Sequence, residues 1–178
     1  MRSAQLDPVT IGWAELVDLP DWGVKKLRAK VDTGARTSAL HVDNIEELPR
    51  GYVRFDVVLH RAKRDRRVHI TTKITRRGRV RSSTGHQTTR LFVETTLQLG
   101  PIQKRIEVSL VDREKMIHRM LLGRKALSGP ILIDVDRRMA LKAKKAKKPK
   151  ASTTKPKAST TKPTASTDKK VKRRPAKK

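Results

Sequence analysis

Apolar and polar residues alternate along much of the chain with the two-residue period of strands, and the pattern stops after Leu141. Seven segments rich in β-branched or aromatic residues predict strands, at residues 9–13, 27–31, 52–59, 68–74, 91–99, 104–110 and 131–135. Turn residues separate them: Pro20, Gly23, Pro49-Arg50-Gly51, Arg77-Gly78, Thr84-Gly85 and Gly100-Pro101. A single short helix is expected around Arg124 to Leu127, ended by Ser128-Gly129-Pro130. The fold class read from this pattern is mainly β, a small closed or nearly closed barrel.

Composition changes the picture at the C-terminal end. Residues 142–178 contain no Leu, Ile, Phe, Trp, Tyr or Met, and Val171 is their only large aliphatic side chain. A segment of that kind cannot bury enough apolar surface to offset the entropy of ordering it. Residues 6–141 are therefore expected to form one domain, and residues 142–178 a disordered tail rich in Lys, Ala, Ser, Thr and Pro. Within the tail, Lys150-Ala151-Ser152-Thr153-Thr154-Lys155-Pro156 is repeated by Lys157-Ala158-Ser159-Thr160-Thr161-Lys162-Pro163. Recurrent proline and the lack of apolar a and d positions exclude a coiled coil. The tail resembles those of linker histones and other low-complexity polyanion binders.

The formal net charge is +27. It divides into roughly +15 on the tail and roughly +12 on the remainder. Both parts call for anionic partners, whether nucleic acid, acidic polypeptide or an anionic membrane surface. The absence of cysteine excludes disulfides, thiolate metal sites and a cysteine nucleophile. Met1 to Thr10 lacks the continuous apolar core of a secretory signal, and no run approaches the ~20 apolar residues of a membrane span. A soluble, cytoplasmic protein with no membrane contact is expected.

Chemistry enters with Asp32-Thr33-Gly34, which follows the apolar strand at residues 27–31. This is how pepsin-like and retroviral proteases present their catalytic carboxylate, although the same three residues also make an ordinary turn. Gly34 lets a backbone amide approach the carboxylate, Thr33 offers a hydroxyl, and Ala35 leaves room for a substrate backbone. Further on, Leu121, Leu122 and Gly123 form the apolar support that packs beside such a loop in those proteases. An aspartic peptidase needs two carboxylates sharing one proton. One Asp-Thr-Gly in a domain this small implies that a two-fold dimer supplies the second.

Four blocks together, Asp32 to His41, Val80 to Gly85, Glu107 to Arg113 and Met120 to Leu127, resemble the bacterial retropepsin-like aspartic peptidases formerly called ATP-dependent zinc proteases. These RimB-like proteins often accompany RimK-type glutamate ligases. The resemblance implies a closed six-stranded acid-protease barrel with one short helix. It also implies a homodimeric endopeptidase acting on glutamate-rich peptides, including a polyglutamate-tailed ribosomal protein. Asp32, Thr33 and Gly34 would be catalytic. Ala35 would border the substrate backbone, and Arg36, Arg79, Arg81, Arg90 and Arg124 would meet the acidic substrate through guanidinium forks, or stand as solvated surface residues. Arg124 can equally serve as a structural ion-pair partner beside the catalytic loop. Residues 76–88 would form a flap-like hairpin over the cleft. The chain departs from the family pattern at Gly100-Pro101, Val135-Asp136 and Thr88-Thr89.

Five histidines are present, at positions 41, 60, 69, 86 and 118, but no His-Glu-x-x-His pair or other local zinc spacing accompanies them. No phosphate-binding glycine loop is present either, so neither a metal nor a nucleotide cofactor is expected. His41 reads as a packing or hydrogen-bonding histidine. Trp13 and Trp22 read as core or rim residues, since aromatics make up only 3% of the chain and do not alternate with the basic clusters. The competing functional reading is a non-catalytic protein that binds RNA or DNA through its basic tail.

Overall fold

The computed structural model describes residues 7–60, 66–81, 85, 87–111 and 117–144. Their strands are β1 (Val9–Gly12), β2 (Ala14–Leu19), β3 (Val24–Val31), β4 (Ser38–Leu48), β5 (Tyr52–Val58), β6 (Arg67–Lys73), β7 (Arg76–Arg81), β8 (Gln87–Leu99), β9 (Ile102–Val111), β10 (Met120–Leu122) and β11 (Ile131–Asp134). The α-helix, α1 (Arg124–Leu127), falls where the sequence predicts it, and short 3-10 turns occupy Pro20–Trp22, Pro49–Gly51 and Ala140–Lys144.

The main sheet closes on itself. Its hydrogen-bonded order is β10-β3-β2-β8-β9-β4, and β10 pairs again with β4, which makes a ring of six strands. β5 and β6 continue outward from β4, β7 folds back on β8, and β1 pairs in parallel with β11 in a separate two-stranded sheet. The mainly β class and the closed six-stranded arrangement agree with the sequence expectation. Among the described residues, no helix is long and apolar enough to cross a membrane. Most of the expected tail, from residue 145 onward, lies outside the described residues, as do residues 82–84 and 86 of the expected flap.

Core formation follows the alternation. Val17 and Leu19 of β2, Leu27 and Ala29 of β3, Val93, Leu97 and Leu99 of β8, and Val108 and Leu110 of β9 are buried in one cluster. Trp22 joins it, meeting Phe55 edge-on with ring centroids 5.6 Å apart. In β3 the alternation skips a step, because Lys26 adopts φ 56° and both it and Lys25 point outward. The pairing with β2 shifts register at that point, and Asp18 Oδ1 accepts the Lys26 N–H at 2.6 Å. This is the signature of a bulge that twists the strand.

Three strands were not legible as strands in the sequence, and each has a physical reason. β2 contains Glu15, which is buried because its Oε1 accepts the N–H of Gly12 at 2.7 Å and of Leu141 at 3.2 Å. β4 is buried on both faces from Ser38 to Val42 and then turns outward past Asn44, whose φ is 52°. Two such halves cannot show one period. β10 has only three residues, below the length at which a period exists. β7 was expected only as part of the flap-like hairpin.

A polar network sits where β4, β5 and β6 meet. Asp56, 5% exposed, accepts a hydrogen bond from Asn44 Nδ2 at 2.7 Å and meets His69 Nδ1, while Arg67 reaches both Asp56 and Asp43. Burial alone would raise the Asp56 pKa from its ordinary 3.8. The hydrogen bonds from Asn44 and His69, with the charges of His69 and Arg67, outweigh burial and bring it lower. In the window below 3.8 the unfolded chain then binds more protons than the folded one, so stability rises with pH there. We expect the Asp56 contribution to be complete above about pH 4 and to be lost as pH falls through the folded value. Asp56→Asn should cost about 1–3 kcal/mol near neutrality and flatten the acid limb of the stability profile, as measured by urea unfolding across pH.

Candidate active site

The loop at residues 32–37 joins β3 to β4, and β10 lies between those two strands. Leu121 pairs with Lys30 on one side and with Ala39 on the other. The loop therefore arches over the end of β10, and the backbone there is fastened to it. The Asp32 N–H donates to the Leu122 carbonyl at 2.9 Å. The N–H groups of Arg124 and Lys125, at the start of α1, donate to the carbonyls of Ala35 and Arg36 at 2.9 and 3.0 Å. Ser38 Oγ accepts the Gly123 N–H at 3.2 Å, and Ser109 Oγ donates to the Ser38 carbonyl at 3.2 Å.

Within this frame Asp32 Oδ1 accepts the N–H groups of Gly34 at 3.1 Å and Ala35 at 3.2 Å. A Cβ on Gly34 would lie 3.3 Å from that oxygen, so glycine gives the amide its close approach. Two backbone donors on one carboxylate oxygen fix the orientation of the side chain. Gly123 is more demanding. A Cβ there would stand 2.6 Å from both the carbonyl carbon and oxygen of Thr37 and 3.0 Å from the Ala35 oxygen, all backbone atoms.

The Asp32 carboxylate opens on a groove of about 960 Å³. Gly34, Ala35, Arg36, Arg79, Arg90 and Leu121 from the expected set line it with Asp32. Thr33, Leu122, Gly123 and Arg124 do not. Thr33 is exposed, and Leu122 and Gly123 are buried beneath the loop. Arg124 Nη1 donates to the carbonyls of Thr33 at 2.8 Å and Gly34 at 2.9 Å, so it holds the loop through backbone carbonyls and not through the expected ion pair. Arg81 pairs through its backbone with Gln87 at the described end of the β7–β8 hairpin.

Arg76, Phe92, Ser109 and Lys125 also line the groove and were not among the expected residues. The Arg76 guanidinium lies 3.5 Å from the centroid of the Phe92 ring and makes paired hydrogen bonds to Glu107 at 2.7 and 2.8 Å. Lys125 Nζ is 3.7 Å from the same carboxylate. The Arg76 hydrogen bonds hold the Glu107 pKa below the usual carboxylate range against the opposing effect of burial, with the charges of Arg76 and Lys125 adding to them. Glu107 in turn raises the Arg76 pKa through the same hydrogen bonds. No sequence signal distinguished Arg76 from its basic neighbours, because its partner is 31 residues away.

Arg90 Nε donates to Thr88 Oγ1 at 3.1 Å. Arg36 and Arg79 are exposed and have no ion-pair partner among the described residues. His41 is buried in β4 with Nε2 3.4 Å from Asp43 and does not line the groove. Among the described residues, no group of three or more His, Asp or Glu side chains has an arrangement able to hold a metal ion.

The family described as RimB-like, retropepsin-like aspartic endopeptidase RimB, matches residues 10–144. A probable alpha-L-glutamate ligase of Shewanella pealeana is 36% identical over 129 residues, which cover 70% of this chain and 28% of that protein. Another from Parasynechococcus marenigrum is 37% identical over 130 residues, covering 71% and 28%. The chain thus spans little more than a quarter of the length of these curated relatives. A solved structure of a Legionella pneumophila protein of unknown function is similar with a TM-score of 0.61 and 26% identity, covering 75% of this chain and 98% of that one.

The tight seat of Gly123 gives a direct test of the loop. Gly123→Ala is expected to lower stability by about 1–3 kcal/mol through overpacking, with faster amide exchange at Gly34 and Ala35, both measurable by hydrogen exchange. An unchanged exchange rate would mean that the loop is held from elsewhere.

Proposed function

This chain belongs to the RimB-like family of retropepsin-like aspartic endopeptidases, and from that premise we propose that it hydrolyses peptide bonds in acidic, glutamate-rich chains. The observation that carries the substrate class is the charge of the groove. Its lining holds five cations, Arg36, Arg76, Arg79, Arg90 and Lys125, against the single carboxylate of Asp32. A run of glutamate side chains entering there would exchange water for guanidinium forks. The longer relatives are named as probable glutamate ligases, enzymes of the same amino acid.

In this reading Asp32 is the catalytic carboxylate. Its Oδ1 is engaged by the Gly34 and Ala35 amides, and no donor among the described residues meets Oδ2. The second carboxylate of the pair comes from Asp32 of another copy across a two-fold axis. One member, ionised, takes a proton from water as that water attacks the scissile carbonyl. The other, protonated, donates to the carbonyl oxygen, and collapse of the tetrahedral species expels the amine with a proton. Water is consumed and no metal or nucleotide is required. A polyglutamate tail on a ribosomal protein is the substrate proposed, with Ala35 leaving room for its backbone.

The test compares wild-type and Asp32→Asn protein on an oligoglutamate-tailed peptide, with chelator and without ATP, following products by mass spectrometry. Cleavage is expected from the wild type and should fall by about 10²- to 10⁴-fold or more in the variant, while the melting temperature is retained. Equal cleavage by the two proteins would remove Asp32 from the mechanism. Lengthening of the peptide when ATP is supplied would replace hydrolysis by the ligase activity named for the longer relatives.

A further inference from the structure

Outside the groove, residues distant in sequence converge on the outer face of β3. Trp13, half-buried in the turn between β1 and β2, meets the His118 imidazole edge-on with ring centroids 5.9 Å apart. The Arg138 guanidinium lies 5.9 Å from the indole centroid. The indole is held from both sides of its backbone, since the Trp13 N–H donates to the Arg137 carbonyl at 2.9 Å and its carbonyl accepts the Val31 N–H at 2.9 Å. Arg28 and Lys30 are exposed on β3, and Ile117, beside His118, is 61% exposed. His118 Nδ1 is buried with no hydrogen-bond partner among the described residues.

The charges act on one another. The His118 pKa is lowered first by burial and then by the positive charges of Arg138, Lys30 and Arg28. The field that opposes a proton on the imidazole is the field that an incoming anion would meet. Arg28, Lys30 and Arg138 have no ion-pair partner among the described residues. Among the described residues of the neighbouring segments, Asp134 is taken by Arg137 at 3.2 Å, Glu15 is buried on backbone donors, and Asp136 is exposed.

We propose that this face binds single-stranded nucleic acid, with Arg28, Lys30 and Arg138 on the phosphates and a base against the exposed part of the Trp13 indole. Cations alone would suit any polyanion. An aromatic ring set among them favours one whose charged backbone carries flat bases. The Met139 N–H donates to the Ala14 carbonyl at 2.8 Å, which holds the segment carrying Arg138 beside the turn that carries Trp13. None of the binding residues lines the groove, so the proposal stands apart from the peptidase reading.

The test titrates the full chain with labelled single-stranded RNA and DNA of about 12 nucleotides, within the span of known single-strand sites. Anisotropy and tryptophan fluorescence are read across a salt series. Saturable, salt-dependent binding with quenching is expected. R28E/K30E/R138E should bind at least ~10-fold more weakly and lose the quenching, with the log–log salt slope reduced by about 2, or about 0.7 per phosphate contact. Should that variant fail to melt cooperatively, R28Q/K30Q carries the same test with a slope reduced by about 1.4. Unchanged affinity and slope in the variants would place all binding on the tail and overturn the proposal. Equal quenching by oligoglutamate would overturn it too, by assigning the face to acidic polypeptide.

Discussion

The three residues of β10 are the constraint on which the rest of this structure depends. They pair in parallel with β3 and antiparallel with β4, and only through that double pairing does the sheet become a ring. A strand so short has little stability of its own, and its hold comes from being enclosed on both edges and buried at Met120, Leu121 and Leu122. The Asp32 loop is the connection between its two neighbours. Closing the sheet and placing the carboxylate are therefore one event, secured by the Asp32 amide on the Leu122 carbonyl and by Gly123 against Thr37.

α1 extends that logic by one turn. It is too short to be stable alone, yet its first two amides satisfy carbonyls of the loop, and the Arg124 side chain satisfies two more. The carbonyls of residues 33–36, which an irregular loop would otherwise leave to solvent, are used to hold its shape. The Asp32 carboxylate is thereby given fixed surroundings, with backbone donors that need not reorganise around it.

The charge of the folded part is distributed with similar economy. Around the groove, Glu107 binds Arg76 and approaches Lys125, which fixes two of the five cations, while Arg36 and Arg79 face solvent. An opening with every cation unpaired would repel itself, and one with every cation paired would carry no excess charge. Glu107 also ties β9 to Arg76 at the root of the β7–β8 hairpin, so the same contact that tempers the groove anchors the strand pair above it.

The sequence by itself determined the class of fold and the site of the short helix, and it singled out Asp32, the carboxylate that opens on the groove. Those features are local: alternation along one strand, a glycine-proline stop, and an Asp-Thr-Gly tripeptide joined to a second block by family resemblance. Only the tertiary structure decided that β2 and β4 are strands, since the burial of Glu15 depends on Leu141 and the two faces of β4 depend on different neighbours. It also decided which arginines reach the groove. Arg36, Arg79 and Arg90 do, Arg124 turns to the loop carbonyls, and Arg76 enters unannounced because Glu107 and Phe92 hold it. A guanidinium at the end of a long flexible side chain takes its direction from its partners, and those partners lie far away along the chain.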